Sequence, residues 1–225
     1  MAEFSLTRDE GVATVLLESP ILTRRVLSEM ADSLDALALE PSPPPLVLAS
    51  AHPTIFLAGA HLGEIARLDS RSCIPYAELG RSVADRIASY PAAVVAAVHG
   101  SCSGGGFDIV MACDAVIASG QATFRHPGVF RGLVTGWGGT TSLGKALGSS
   151  VLRRVLLEGS DLDPATLKEL GVVLSITDDP RSEAHAVALR LGLLHPSRLS
   201  LWRLLRGPTF VDRFRAFVVE ESYLN

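Results

Sequence analysis

Three consecutive glycines, Gly104–Gly106, constrain this chain more than any other feature, because of what flanks them. The apolar run Val94–Val98 precedes them and a second apolar stretch, Ile109–Ala112, follows. This order predicts a strand, a glycine turn and a helix. Glycine carries no Cβ, so a ligand atom can approach the backbone N–H groups closely, at the positive end of the new helix. The segment therefore predicts a site that stabilises negative charge on an oxygen, with the carboxyl group of Asp108 beside it to move a proton.

The composition excludes several classes of protein. With 225 residues, 48% of them hydrophobic, the chain is long enough for one domain with a buried core. Its net charge of −4 gives no electrostatic footprint for nucleic acid, and no apolar run approaches the roughly 18 residues of a membrane span. The N-terminus lacks the basic and apolar regions of a signal peptide. The three cysteines form no Cys-x-x-Cys pair, so we expect no metal site and a cytoplasmic location.

Strands and helices alternate along the chain, which predicts a layered α/β fold. The apolar runs around Asp9–Gly11 indicate a hairpin, and residues 50–60 a loop. Periodic or punctuated apolar segments predict helices at 26–39, 81–89, 105–111, 137–147, 151–157, from Pro164 to Gly171 and from Ser182 onward, and strands at 46–49, 94–98, 115–118 and 172–176.

Two further glycine segments, residues 56–62 and 132–141, interrupt the predicted elements. Each is explained most simply as an ordinary turn before a helix. A functional interpretation is also open. The N–H of Ala60 would be free at a helix start, and Val134 or Trp137 would offer apolar surface to a ligand.

Taken together, these segments are more informative than any one of them. Five segments follow one another much as in the crotonase superfamily, the enoyl-CoA hydratase/isomerase family: 56–62, 94–108, 112–114, 124–140 and 157–173. The chain resembles this family from about Val12 to Ile176. The resemblance implies an α/β crotonase (ClpP-like) fold of repeated ββα units. It implies a crotonase-like core over residues 1–180 and a helical C-terminal segment over 181–225, which covers the core or contacts another subunit. It also implies a homotrimer or a dimer of trimers.

The resemblance further implies an acyl-CoA thioester as ligand, with coenzyme A as part of the substrate and no separate cofactor. An oxyanion hole would consist of the N–H groups of Ala60 and Gly105, and the loss of one such donor typically costs about 2.7–4 kcal/mol of barrier stabilisation. Proline lacks the N–H, so Gly105→Pro is expected to abolish turnover in a protein that still folds. By motif position, the substrate would contact a set of neighbouring residues: Ala58, His61, Leu62, Gly104, Phe107, Gly128, Val134 and Trp137.

The chain departs from the family pattern at its acids. The first of the two glutamates of the family's hydratases matches Asp108, the second matches Gly128, and an acid used by other members matches Thr135. Asp108 is therefore the one acid that we place at the chemistry, although an acid in a first helical turn also simply stabilises the helix dipole. His61 and His126 are further candidates because histidine titrates near neutral pH.

Several reactions fit this pattern. Hydration of an enoyl thioester is the nominal expectation, since it is the commonest chemistry that the resemblance implies. Isomerisation is the alternative that a single base favours physically. Decarboxylation would need chiefly the oxyanion hole. A non-catalytic acyl-CoA-binding member is also open, because a fold does not by itself establish a function.

Three remaining features have two interpretations each. Arg24 and Arg25 would meet the phosphates of coenzyme A, or are merely solvated at a helix start. Residues 100–104 fit a nucleophile elbow centred on Cys102, which would indicate an α/β-hydrolase. Near the C-terminus an apolar stripe at helical spacing predicts a buried or subunit-contacting face: Phe210, Val211, Phe214, Phe217 and Val218.

Overall fold

The computed structural model describes residues 4–194 and 196–205. The strands are β1 (Phe4–Asp9), β2 (Val12–Leu17), β3 (Ile21–Leu22), β4 (Leu46–Ser50), β5 (Ile55–Leu57), β6 (Gly59–Ala60), β7 (Val94–Val98), β8 (Ser101–Ser103), β9 (Ala115–Ala118), β10 (Thr123–Arg125) and β11 (Val173–Ile176). The helices are α1 (Arg24–Ala38), α2 (Leu62–Ile65), α3 (Cys73–Ala88), α4 (Gly105–Ala112), α5 (Gly139–Leu157), α6 (Pro164–Glu169), α7 (Pro180–Gly192) and α8 (Pro196–Leu205), with a 3-10 helix at Pro127–Arg131.

A six-stranded sheet in the order β1-β2-β4-β7-β9-β11 forms the centre of the molecule. β1 and β2 form the expected antiparallel hairpin, turning through Glu10 and Gly11 with positive φ. The other neighbouring strands run parallel. Parallel strands need crossover connections, so the alternation of strands and helices in the sequence correctly predicts this α/β architecture.

Each face of this sheet has its own apolar core, because successive side chains of a strand point to opposite faces. On one face, Val94, Ala96 and Val98 of β7 join buried side chains of α1, α3 and α4. On the other face, Val95 and Ala97 join side chains of α7 and α8. The described part of the C-terminal segment thus covers the sheet, while the domain boundary near residue 180 stays a prediction.

Arg203 attaches α8 to the end of the central sheet. Its Nε lies 2.7 Å from Oδ1 of Asp114, which is buried, and one of its terminal nitrogens donates to the carbonyls of Tyr90 and Ala92. Trp202 Nε1 also donates to the Asp114 carbonyl, at 2.9 Å. The Asp114 carboxylate in turn accepts from the N–H of Val94 at the start of β7.

Two small sheets beside the main one position the glycine segments. One has the order β10-β8-β5, and the other pairs β3 with β6. The expectation of a loop over residues 50–60 is therefore wrong in part, because β5 and β6 lie within it. Gly59, with φ of +87°, separates these strands, which are too short to show a periodic pattern in the sequence.

The apolar stripe Phe210–Val218 lies outside the described residues, so its role as a subunit contact stays a prediction. None of the described helices is long and apolar enough to cross a membrane.

Candidate active site

The glycine turn before α4 and the short strand β6 lie against each other. A Cβ on Gly59 would lie 2.8 Å from the Gly105 nitrogen and 2.8 Å from the Ser103 carbonyl oxygen, so only glycine allows this approach. Ser103 Oγ also donates to the Ala58 carbonyl at 3.1 Å. The two segments are thereby held together, which brings Ala60 next to the start of α4.

Two N–H groups at this junction have different surroundings. Ala60 ends strand β6 and α2 begins only at Leu62, so the expectation that Ala60 stands at a helix start is wrong. The N–H groups of Phe107 and Asp108 donate to the Gly104 carbonyl at 2.9 and 3.2 Å. Within the described ranges, no hydrogen bond of the turns, loops or caps uses the N–H of Ala60 or of Gly105. Gly105 is the first residue of α4, where a helix leaves its N–H groups without an internal acceptor. This geometry supports the prediction that these two residues form an oxyanion hole.

Asp108 lies one turn into α4 with only 2% of its surface exposed. Its Oδ1 lies 2.9 Å from Nε2 of His126, and its Oδ2 accepts from Thr135 Oγ1 at 2.5 Å. On Gly139 a Cβ would lie 2.3 Å from Oδ1, so this glycine lets the start of α5 close over the carboxylate. An ionised carboxylate has about four acceptor sites, which leaves it capacity for a proton from a substrate.

A cavity of about 310 Å³ opens beside this carboxylate. Its walls are largely apolar, as in sites for small molecules. Asp108 is the one carboxylate among the described residues that line it. The residues proposed as the oxyanion hole, Ala60 and Gly105, line the cavity. So do six of those proposed to contact substrate: Ala58, Leu62, Gly104, Gly128, Val134 and Trp137. Val134 is 82% exposed and Trp137 only 5%.

Trp137 is wedged between helices α3 and α4. A Cβ on Gly80 would lie 2.0 Å from its Cε2, and one on Gly105 would lie 2.2 Å from its Cε3. The ring of Tyr76 lies 6.3 Å away, centroid to centroid. The expectation that Gly105→Pro would leave a folded protein therefore needs correction, since the Cβ of proline would overlap the indole.

Phe107 and His61, both proposed to contact substrate, do not line the cavity. Phe107 is fully buried and packs against Phe124, with ring centroids 5.4 Å apart, so it supports the wall from behind. His61 caps α2 instead, because its Nδ1 accepts from the Glu64 N–H at 3.1 Å. Phe107 therefore does not form part of the cavity wall, and a contact of either residue with substrate stays a prediction.

Gly128 lies where the second acid of the resembled hydratases would be. A Cβ there would lie 2.9 Å from the carbonyl oxygen of Leu133, whose N–H donates back to the Gly128 carbonyl at 2.9 Å. This loop leaves no room for a larger side chain without a backbone shift.

Arg24 and Arg25 lie outside the cavity wall. The Arg24 guanidinium sits 5.1 Å above the centre of the Tyr76 ring, and Arg25 pairs with Glu29 along α1. A role in binding phosphates stays a prediction for both.

Cys102 excludes the hydrolase interpretation. It belongs to β8, is fully buried in the core and does not line the cavity. Burial, together with the nearby Asp108 charge, raises the pKa of its thiol well above the ordinary value. A thiol without access or thiolate character cannot act as a nucleophile.

The contacts of three neighbours of the site were not predicted from the sequence, although Thr135 matches a family acid position and Gly139 lies in the segment 132–141. Thr135 and Gly139 meet Asp108 across about thirty positions of chain, and Cys73, at the start of α3, lines the cavity. No cluster of three or more His, Cys, Asp or Glu side chains occurs in the described part of the chain that could hold a metal ion.

A model of the enoyl-CoA hydratase/isomerase family matches residues 7–204. The chain belongs to the enoyl-CoA hydratase/isomerase family. This membership confirms the resemblance read from the glycine segments, and with it the crotonase fold.

The chain covers different shares of the length of its relatives in the family. The mitochondrial methylglutaconyl-CoA hydratase of Mus musculus is 29% identical over 157 residues, which are 70% of this chain and 50% of that protein. A probable enoyl-CoA hydratase of Bacillus subtilis is 28% identical over 213 residues, covering 91% of this chain and 82% of that protein. The chain thus spans about half the length of the methylglutaconyl-CoA hydratases that it matches.

Solved structures of the family share the fold. An enoyl-CoA hydratase from Geobacillus kaustophilus superimposes with a TM-score of 0.87 at 20% identity, covering 100% of this chain and 89% of that one. One from Polaromonas sp. JS666 gives a TM-score of 0.84 at 25% identity, covering 94% and 87%.

Proposed function

We propose that this protein is an enoyl-CoA isomerase, which moves the double bond of an enoyl-CoA thioester from the 3- to the 2-position by transferring a proton between two carbons. The observation that carries this proposal is that Asp108 is the one carboxylate among the described residues lining the cavity, which Ala60 and Gly105 also line. Isomerisation needs one group that carries a proton between two carbons, and one carboxylate suffices for this.

In the proposed reaction the thioester oxygen accepts hydrogen bonds from Ala60 N–H and Gly105 N–H. Asp108 takes the proton from C2 of the 3-enoyl thioester, and the electron pair of the broken C–H bond passes into a dienolate. The oxyanion of this dienolate is stabilised by the two donors. Asp108 then returns its proton to C4, which leaves the double bond between C2 and C3 and the enzyme unchanged.

Hydration of a 2-enoyl thioester is the second candidate. It is favoured by His126, whose imidazole also lines the cavity and contacts Asp108. The names of the relatives also point to it. Against it stands Gly128, which has no side chain to hold the attacking water.

Mass spectrometry of the purified chain with 3-enoyl, 2-enoyl and malonyl-type CoA esters tests these alternatives. We expect 3-enoyl esters to give 2-enoyl esters without a change of mass. Gain of water on 2-enoyl esters would establish hydration, and loss of CO2 would establish decarboxylation. Binding without turnover of any ester would contradict the proposal and favour a non-catalytic member. Asp108→Asn is the matched control, since it keeps the shape of the side chain and removes the base.

A further inference from the structure

A second cavity, of about 410 Å³, lies beyond the catalytic one. It is bounded by α3, the end of α4 and α5. Its wall is partly apolar, with Ala84, Met111, Ala146 and Leu170, and partly charged, with side chains that include Lys145. Among the described residues, Trp137 is the one side chain that lines both cavities. Its indole is the partition between them.

This partition is held firmly in place. The indole occupies the space that a Cβ would take on both Gly80 and Gly105, and only 5% of the residue is exposed. A close-packed aromatic ring of this kind does not rotate without displacing its neighbours. The indole therefore acts as a fixed stop rather than as a gate.

We propose that Trp137 is the specificity-determining residue that ends the acyl cavity and restricts the protein to short acyl chains. The inference rests on the proposed acyl-CoA function. With about 310 Å³, the catalytic cavity lies at the lower end of the range of about 300–1,000 Å³ found for small-molecule sites, and the thioester itself must share it. Removing the indole would join this space to the larger second cavity.

Trp137→Leu tests the proposal, with kcat/KM measured on a ladder of enoyl-CoA esters from four to sixteen carbons. We expect the ratio of kcat/KM for long over short chains to rise by about tenfold or more, since each methylene group accommodated in an apolar pocket is worth about that much. In the same series, the dissociation constants of saturated acyl-CoA esters should shift toward longer chains. Trp137→Phe keeps a ring in place and should keep the short-chain preference.

A second variant controls for general loosening of the fold. Ala146 lines only the second cavity, so Ala146→Phe alone should leave the length profile unchanged. Combined with Trp137→Leu, it should restore the preference for short chains.

An unchanged length profile in Trp137→Leu would overturn the proposal. So would a preference for long chains in the unmodified protein. If the unmodified protein turns over no ester, the proposed reaction fails, and the dissociation constants still decide whether Trp137 limits chain length.

Discussion

Nε2 of His126 lies 2.9 Å from Oδ1 of Asp108, in a pair that is almost entirely buried. The pair forms where β10 passes α4, so the residue just after a strand meets the first turn of a helix eighteen positions earlier. A buried carboxylate that loses one of its donors is left partly unsatisfied, which is costly. The geometry makes His126 a positioning residue for Asp108.

His126→Ala is expected to lower kcat/KM by about ten- to a hundredfold, the range for a hydrogen bond to a charged group. His126→Gln keeps an N–H donor and should recover most of this loss, as steady-state kinetics on a 3-enoyl ester would show. Equal losses in both variants would indicate that the imidazole itself carries a proton.

Gly59→Ala is expected to lower kcat by about 10²–10³-fold, the effect of losing one oxyanion donor. Its Cβ would lie 2.8 Å from the Gly105 nitrogen, and the φ of +87° disfavours any side chain. The change pushes β6 away from α4 and separates the two N–H groups. Gly120→Ala, at a glycine with open space around it, is the matched control. Normal kcat in Gly59→Ala would contradict the assignment of the oxyanion hole.

Cys73 is expected to be the first cysteine to react with a maleimide in the native protein. It is exposed and lines the catalytic cavity, whereas Cys102 and Cys113 are buried. Acyl-CoA should slow its labelling, and peptide mapping by mass spectrometry would identify the modified site. Cys73→Ser supplies the unlabelled control. Rapid modification of Cys102 would show that the core around β8 opens.

Arg203→Met is expected to lower the free energy of unfolding by about 3–5 kcal/mol, as found when one partner of a buried ion pair is removed. The change leaves the Asp114 carboxylate buried beside Val94 without its cation. Chemical denaturation would measure the loss, with Arg190→Met as a control for an exposed pair with Glu183. A loss as small as that of the control would show that α8 is not anchored by Asp114.

Two tyrosines should make the folded protein sensitive to alkali. Burial raises the pKa of Tyr76 and of Tyr90 from 10.0 to about 12. Between these values the folded state holds protons that the unfolded state has released, so the stability should fall as the pH rises from 10 to 12. The free energy of unfolding, measured by denaturation at several pH values across this range, should fall less steeply with pH in Tyr90→Phe. An unchanged slope in that variant would contradict the prediction.

The sequence predicted the backbone of the site better than its side chains. The glycine run between apolar segments indicates the turn before α4, which places Gly105 and Asp108 at a helix start. Ala60 follows only from the family resemblance, since it lies in strand β6. The contacts of Asp108 could not be predicted, because Thr135, just before α5, and Gly139, at its start, reach the carboxylate only through tertiary packing. The orientations of the Phe107 and His61 rings could not be predicted either, because sequence position next to the site does not determine which way a side chain points.

The indole of Trp137 fills the space that a side chain on Gly80 or Gly105 would need, so these three positions are expected to change together during evolution. No side chain can appear at either glycine while the indole stays, and a smaller residue at 137 would free both positions to vary. Across the family, a change at one of these sites should thus accompany changes at the others. The evolution of this cavity would then proceed by exchanging the whole set, rather than by single substitutions along its wall.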